Sequence, residues 1–155
     1  MKYFIQIFGC QMNKSDAERI ASLLNSIGYK SVKTRENADL IVLVTCSVRQ
    51  TAEDRVYGMM RHIKKLKAQS PKLKVVLTGC MALQKEAIKR LEDVDIFLDI
   101  KNLKILPQLL NKKSEQQDVE SYFSIKPKYE SCFTAFVPIM TGCNNYCSYC
   151  VVPYV

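Results

Sequence analysis

Short apolar runs rich in β-branched and aromatic residues alternate with segments of helical periodicity over roughly the first 110 residues of this chain. The five runs read YFIQIF, SVKT, DLIVLVT, KVVLTG and DIFLDI. Strands separated by helices in this way pair in parallel, because each helix returns the chain to the end of the sheet where the previous strand began. The pattern therefore predicts an α/β fold, a doubly wound parallel sheet with helices on its faces.

The segments between the runs carry signals for helix starts and ends. The first helix is predicted to begin near NKSDAERI, where Ser15 and Glu18 match a capping box, and to end at Gly28. The second is predicted to start at about Thr51. A third is predicted near LQKEAIKRL and a fourth near LKILPQLL, which Pro107 either opens or kinks. Together they complete a predicted domain over residues 1–111.

The alternating pattern fades after residue 111. Residues 112–134 are polar, mixed in charge and without periodicity, which predicts a linker. The run TAFVPIMTG then predicts a new strand that leads into a loop of three cysteines, so residues 135–155 are interpreted as the start of a second domain. We expect this strand to be poorly packed, because the chain supplies no neighbouring strands for it.

Charge and cysteine content restrict the class of protein. The 155 residues include 23 Lys and Arg against 15 Asp and Glu, a net charge of +8 spread over many short clusters. A diffuse positive field favours an RNA or DNA partner, although solvated helix faces explain most such lysines. The apolar runs are too short to cross a bilayer and no secretory signal is visible, which predicts a cytoplasmic protein without membrane contact. Seven cysteines in that compartment indicate metal binding, catalysis or packing rather than disulfides.

Three cysteines, here called the strand-end cysteines, directly follow predicted strands: Cys10, Cys46 and Cys80. In a flavodoxin-like sheet of order 2-1-3-4-5 their strands are neighbours, and the carboxyl ends lie at the edge where doubly wound folds bind ligands. The three sulfurs are therefore predicted to converge on a shared site, such as a small inorganic cluster. Gly9 and Gly79 precede two of them and would permit close backbone approach. The alternative is that each is an ordinary buried cysteine.

Three further cysteines, here called the loop cysteines, form a C-x3-C-x2-C pattern: Cys143, Cys147 and Cys150. Three thiolates on one tight loop are typical of an iron–sulfur cluster in which one iron has no protein ligand. Zinc is the competing interpretation, because a structural zinc site needs four ligands and Cys132 is available as the fourth. Spacing alone leaves both metals open.

The motifs around these cysteines resemble those of a known family. FGCQMNKSD, VTCSVRQTA, TGCMA and TGCNNYCSYCVVPYV occur in the order typical of the methylthiotransferases, and CNNYCSYC resembles the radical S-adenosylmethionine motif. The resemblance spans the whole chain and is strongest to the tRNA-modifying branch of the family. It implies two 4Fe-4S clusters. The strand-end cysteines would hold an auxiliary cluster, and the loop cysteines would hold the cluster that cleaves S-adenosyl-L-methionine.

The same resemblance implies an activity. Family members methylthiolate carbon 2 of an N(6)-prenylated adenosine beside the anticodon of tRNA, and they take electrons from a donor such as flavodoxin or ferredoxin. They continue through a radical-SAM barrel and an RNA-binding domain. The resemblance therefore implies that this chain is an N-terminal fragment, a monomer, and inactive by itself. Two alternatives remain open at this point: a methylthiotransferase of a ribosomal protein, or a non-catalytic module that binds iron–sulfur or zinc.

Several polar residues near the cysteines are further candidates. By family analogy Tyr149 lies near the adenine of S-adenosyl-L-methionine, and no side chain is assigned a catalytic role. The residues that could tune bound clusters by hydrogen bonding are Asn13, Thr45, Ser47, Arg49 and Asn144. Asn144 is also predicted to bind the cofactor, whereas Asn13 and Ser47 can equally be helix caps.

Overall fold

A parallel five-stranded sheet forms the centre of the molecule in the computed structural model, which describes residues 1–112 and 121–154. Its strands are β1 (Lys2–Phe8), β2 (Lys30–Ser31), β3 (Leu40–Thr45), β4 (Lys74–Gly79) and β5 (Ile96–Leu98). The strand order is β2-β1-β3-β4-β5, and every neighbouring pair is parallel. The predicted fold class and strand order are confirmed.

The central strand β3 shows how the sequence builds two cores. It pairs with β1 along its whole length and with β4 on its other side, and all six of its residues are buried. Side chains alternate between the faces of a sheet. Leu40, Val42 and Val44 accordingly belong to one apolar cluster, whereas Ile41 and Leu43 belong to the other.

Helices cover both faces of the sheet. The four α-helices are α1 (Gln11–Ser26), α2 (Gln50–Gln69), α3 (Lys85–Arg90) and α4 (Leu106–Leu109). Residues of α1 and α4 pack into the same cluster as Val42, and residues of α2 and α3 pack into the cluster of Leu43. Pro107 lies in the first turn of α4, where a missing N–H is tolerated, so it opens that helix and does not kink it. None of the described helices is long and apolar enough to span a bilayer.

Helix α1 begins four residues earlier than Ser15, which corrects the predicted capping box. The N-cap is Cys10, and Asn13 accepts a hydrogen bond from the Cys10 backbone N–H at 3.2 Å. Ser15 instead lies inside the helix, where its hydroxyl accepts a 2.6 Å hydrogen bond from Arg19. The end of the helix is as predicted: Gly28 follows the last turn with φ +86°, a conformation that favours glycine.

The predicted linker is in part a structural element of the first domain. Residues 113–120 lie outside the described residues, but the remainder of 112–134 folds back onto α1. Tyr122 and Ile125 are only 6% and 2% exposed, and the Tyr122 hydroxyl donates a 2.6 Å hydrogen bond to Asp16. The polar composition of this segment therefore did not predict that Tyr122 and Ile125 are core side chains.

Residues 134–142 form no strand, contrary to the sequence prediction. A strand needs a hydrogen-bonded neighbour, and the sheet of the described residues ends at β2 and β5. The segment is held by isolated contacts, such as the 3.0 Å hydrogen bond from the Ser15 hydroxyl to the Phe136 carbonyl. Val137 and Ile139 are 70% and 89% exposed, in line with the expectation of poor packing.

Candidate functional site

The strand-end cysteines line one cavity of about 220 Å³ at the carboxyl edge of the sheet. Cys10 lies two residues after β1, and Cys46 and Cys80 lie directly after β3 and β4. Those three strands are adjacent, so the topology brings together residues that are far apart in the chain. Cys46 is fully buried, whereas Cys10 and Cys80 are half-buried. The predicted convergence of these side chains is therefore present.

Two glycines allow the backbone to close around this cavity. A β-carbon at Gly9 would overlap the side chains of Asn13 and Cys46. One at Gly79 would overlap the backbone of Thr45, and the φ of Gly79 is +89°. Both positions require glycine for a close approach between neighbouring strand ends. The sequence-based interpretation of these two glycines agrees with this geometry.

A belt of buried hydrogen bonds supports the cavity from behind. The Asn13 amide donates to the Thr45 carbonyl at 3.1 Å, and the Thr45 hydroxyl donates to the Thr78 carbonyl at 2.7 Å. The Thr78 hydroxyl in turn donates to the Leu98 carbonyl at 2.7 Å. The belt runs from the start of α1 across the ends of β3, β4 and β5, beside each cysteine. It joins to Cys10 through the capping bond of Asn13, so Asn13 is both a helix cap and a brace of the site.

Ser47 and Arg49 have other partners than the sequence suggested. The Ser47 hydroxyl accepts a 2.8 Å hydrogen bond from the Gln84 amide, which also donates to Glu53 at 3.3 Å. These bonds tie the turn after β3 to the turn after β4. Arg49, and not Ser47, occupies the N-cap position of α2. The contribution of Ser47 to the site is its backbone N–H, which faces Cys80.

Burial controls the acidity of the thiols in the cavity. Desolvation raises the pKa of Cys80, the Ser47 backbone N–H partly offsets this effect, and the neighbouring Cys46 and Cys10 raise it further. The free thiol is therefore protonated at neutral pH. A metal or cluster bound here would have to displace that proton, because thiolates are the ligands.

Asp16 is a functional-site candidate that the sequence analysis missed. It lines the same cavity and is 2% exposed. Burial raises its pKa to about 6, and the opposing effects of hydrogen bonds from Tyr122 and Asn13 and of the Arg19 charge are smaller. A carboxyl group that titrates near neutral pH therefore lies in the wall of the cysteine site. A signal was available in the sequence: spacing from Asn13 through Asp16 to Ile20 places this acid on the buried face of α1.

The loop cysteines do not line the cavity of the strand-end cysteines, although residues beside them do. Cys147 is exposed, Cys143 and Cys150 are half-buried, and the Cys150 N–H donates to the Cys147 carbonyl at 3.0 Å. The flanking residues Gly142 and Val152 line the cavity of the strand-end cysteines. The predicted cofactor contacts Asn144 and Tyr149 are both exposed, Tyr149 to 89%.

Within residues 1–112 and 121–154, no group of three or more His, Cys, Asp or Glu side chains is arranged to hold a metal ion. The structure thus does not bring Cys132 together with the loop cysteines as a zinc site. A tetrahedral ion with metal–sulfur bonds of about 2.3 Å needs its sulfurs roughly 3.8 Å apart. The strand-end cysteines supply the thiol donors that iron–sulfur clusters use, and they share one cavity.

A comparison with known families matches residues 2–99 to the family described as Uncharacterized protein family UPF0004. The chain belongs to this family. The UPF0004 domain is the N-terminal domain of methylthiotransferases. The match covers all five strands and the three strand-end cysteines of this UPF0004 domain, and it excludes the loop cysteines.

Three relatives, each named tRNA-2-methylthio-N(6)-dimethylallyladenosine synthase, extend the similarity to 99% of the chain. The protein of Desulforamulus reducens is 40% identical and aligns over 36% of its own length. That of Dictyoglomus thermophilum is 39% identical over 38% of its length, and that of Caldicellulosiruptor saccharolyticus is 43% identical over 35%. The chain therefore spans little more than a third of the length of the curated relatives it matches.

Proposed function

We propose that this chain is part of a tRNA methylthiotransferase and that the strand-end cysteines hold a 4Fe-4S cluster. One observation carries the proposal: three thiols from three adjacent strand ends line a single cavity. The names of the relatives support tRNA, rather than a ribosomal protein, as the substrate. The proposed modification is methylthiolation of carbon 2 of an N(6)-prenylated adenosine.

The chain's own residues would bind the cluster and restrict water. Cys10, Cys46 and Cys80 would each ligate one iron, and the usual complement of four ligands leaves one iron without a protein thiolate. Apolar side chains of Val48 and Leu83 line the same cavity and would limit solvent access. When bound, iron–sulfur clusters supply electron and sulfur chemistry that side chains cannot provide.

Asp16 would hold a proton in the wall of this cavity below a pH of about 6. Its carboxyl is uncharged below a pH of about 6, and a neutral acid beside anionic thiolates avoids like-charge repulsion. The hydrogen bond from Tyr122 and the neighbouring Asn13 fix the orientation of the carboxyl. Below that pH the residue would therefore limit the negative charge that the site accumulates, and above it the carboxylate would add to that charge.

The loop cysteines remain a proposal from their motif. Cys143, Cys147 and Cys150 would hold the second 4Fe-4S cluster, with Tyr149 and Asn144 beside bound S-adenosyl-L-methionine. The proposal places the protein in the cytoplasm as a monomer that receives electrons from a flavodoxin or ferredoxin. Because residues 134–154 are largely exposed, we also propose that these 155 residues alone do not complete the reaction.

Iron loading tests the assignment. The chain is reconstituted anaerobically with iron and sulfide, beside a triple variant with Cys10→Ala, Cys46→Ala and Cys80→Ala. The triple variant is expected to bind roughly four fewer iron atoms and to lose the corresponding visible absorption. Cys132→Ala is the matched control, since Cys132 is exposed and lies outside the cavity.

The result that contradicts the proposal is equal iron content in parent and triple variant. Binding of zinc instead of iron by the parent would support the non-catalytic zinc module. Circular dichroism of each variant establishes that the sheet has formed, so that a loss of iron is not a loss of fold.

A further inference from the structure

Helix α2 presents a cluster of positive charge to solvent that pairs with no acidic side chain of the described residues. Arg61, Lys64 and Lys65 are exposed, and the two lysines follow Arg61 by three and four residues, so each neighbours Arg61 on the helix surface. None of the ion pairs in residues 1–112 and 121–154 includes any of the three. Like charges at this spacing destabilise a helix. An external anion beside the three cations would relieve this repulsion.

A glycine on the same face also lacks a structural reason. Gly58 lies in the middle of α2 and is exposed, and a β-carbon added there would meet nothing within 4 Å. It has no positive φ, unlike Gly28 and Gly79. Glycine weakens a helix interior relative to alanine. An exposed glycine one turn before Arg61 leaves bare backbone beside the positive charges, which suits the close approach of a rigid anionic partner.

We propose that this basic face of α2, formed by Gly58, Arg61, Lys64 and Lys65, binds the phosphate backbone of tRNA. The inference rests on the proposed function, because tRNA is the polyanion that this function requires. The exposed cations and the exposed glycine would serve the same contact. The cations are complementary in charge to phosphates, and Gly58 has no side chain that would keep the RNA backbone at a distance.

Neighbouring acidic groups do not compete for the basic face. Glu36 lies 3.5 Å from His62 and 3.8 Å from Arg35, so its charge is directed to those residues. Asp54, one turn nearer the start of the helix than Gly58, accepts a hydrogen bond from Gln50 at 3.2 Å. In the described part of the chain neither carboxylate pairs with Arg61, Lys64 or Lys65, so the positive charge at the second half of α2 is available to an external anion.

The position of the face relative to the cysteine cavity fits an extended RNA. Helix α2 starts four residues after Cys46 and runs back along the sheet, so its first turn lies near the cavity edge. At 1.5 Å per residue, Lys65 lies roughly 22 Å along the helix from that start. An RNA backbone that follows α2 would span several phosphates while its end reaches toward the cysteine edge.

Salt-dependent binding of an unmodified tRNA transcript to the 155-residue chain tests the proposal. The parent is compared with the double variant Arg61→Gln, Lys65→Gln. Two lost phosphate contacts are expected to lower the slope of log affinity against log salt by about 2. The matched control is Lys30→Gln, Lys33→Gln, which removes the same charge from exposed positions in and beyond β2 and is expected to keep the parental slope.

A third variant, Gly58→Gln, separates docking from simple charge. It adds a neutral side chain with better helix propensity, so the fold is retained or stabilised, and tRNA affinity is expected to fall severalfold. Three results would each overturn the proposal. They are an equal loss of slope in the Arg61, Lys65 variant and in the Lys30, Lys33 control, an unchanged tRNA affinity of Gly58→Gln, and no tRNA binding by the parent. Binding of phosphatidylglycerol vesicles through the same residues without tRNA binding would also overturn it, in favour of a membrane.

Failure of this inference is distinguishable from failure of the proposed function. Iron loading depends on the strand-end cysteines, and the Arg61, Lys65 double variant is expected to load as much iron as the parent. If iron loading is normal and the α2 variants bind tRNA as the parent does, the basic face alone is overturned. Binding of tRNA through α2 by a chain that loads no iron overturns the cluster assignment alone.

Discussion

At the scale of single residues, Asn13 links the helix start to the sheet edge. Its side chain accepts from the Cys10 backbone N–H and donates to the Thr45 carbonyl, and it is 3% exposed. Both partners are buried or half-buried, so water cannot easily replace the asparagine. The residue therefore supports two of the three strand-end cysteines through their neighbouring backbone.

Replacement of this residue is expected to destabilise the fold. Asn13→Ala removes a helix cap and leaves the Thr45 carbonyl without its donor, which together cost about 2–4 kcal/mol of the free energy of unfolding. Urea denaturation measures the loss. The control is Asn37→Ala, because Asn37 is exposed and bonded only to Thr34 in the described structure; a similar loss there would refute the role of Asn13.

The raised pKa of Asp16 makes a prediction about pH. Its pKa rises from an ordinary value of 3.8 to about 6 in the folded chain, so the folded state binds this proton more tightly. The associated stabilisation is complete below a pH of about 4 and is lost as the pH rises to about 6, a change of up to about 3 kcal/mol.

The measurement compares the parent with Asp16→Asn by urea denaturation between pH 4 and 7.5. The stability of the parent minus that of the variant should fall with rising pH and then level off above pH 6. Subtraction removes the contribution of other acids that both proteins share. A difference that is flat over this range would show that Asp16 has no raised pKa.

At the scale of elements, residues 121–136 pack along α1 and are here called the strap. The Lys128 N–H donates to the Glu18 carbonyl at 3.0 Å, and the Ser15 hydroxyl donates to the Phe136 carbonyl at 3.0 Å. Ile125 belongs to the same buried apolar cluster as Ile20 of α1 and Leu103, which precedes α4. These contacts make the strap part of the folded domain.

Truncation of that core side chain is expected to be costly. Ile125→Ala removes a nearly fully buried side chain and should lower the free energy of unfolding by about 2–4 kcal/mol. Phe133→Ala is the control, because Phe133 is 96% exposed and surface substitutions change stability by about 0.5 kcal/mol or less. If the two variants were equally stable, residues 121–134 would be a detached linker as the composition suggested.

At the scale of the whole molecule, a ligand held by three strand ends would tie the sheet together. Cys10, Cys46 and Cys80 belong to connections after three adjacent strands, so a cluster on them would cross-link the fold. Any ligand that binds the folded state alone raises its stability by mass action. Anaerobic loading with iron and sulfide should therefore raise the melting temperature of the parent, and chelation of the iron should reverse the increase.

The triple cysteine variant supplies the comparison for that experiment. Its melting temperature is expected to be the same with and without iron and sulfide. A parallel increase in both proteins would mean that the stabilisation comes from iron bound elsewhere, such as the loop cysteines.

Local patterns in the sequence were sufficient for the fold class, and the flavodoxin-like strand order then predicted the convergence of the strand-end cysteines. Alternating periodicities are local, and parallel pairing forces the residues after neighbouring strands to one edge. Gly9 and Gly79 could be interpreted for the same reason, since each directly precedes a cysteine. The sequence by itself thus determined where the candidate site lies.

Only the tertiary structure decided how that site is built. Asp16 accepts its hydrogen bond in the cavity wall from Tyr122, a partner 106 residues away in a segment whose polar composition predicted a linker. The helix begins after Cys10 and not near Ser15, and Asn13 in its first turn also bonds Thr45, a contact between residues 32 positions apart. Such choices depend on long-range packing and hydrogen bonds, whose free energies outweigh local propensities and cannot be derived from neighbouring residues alone.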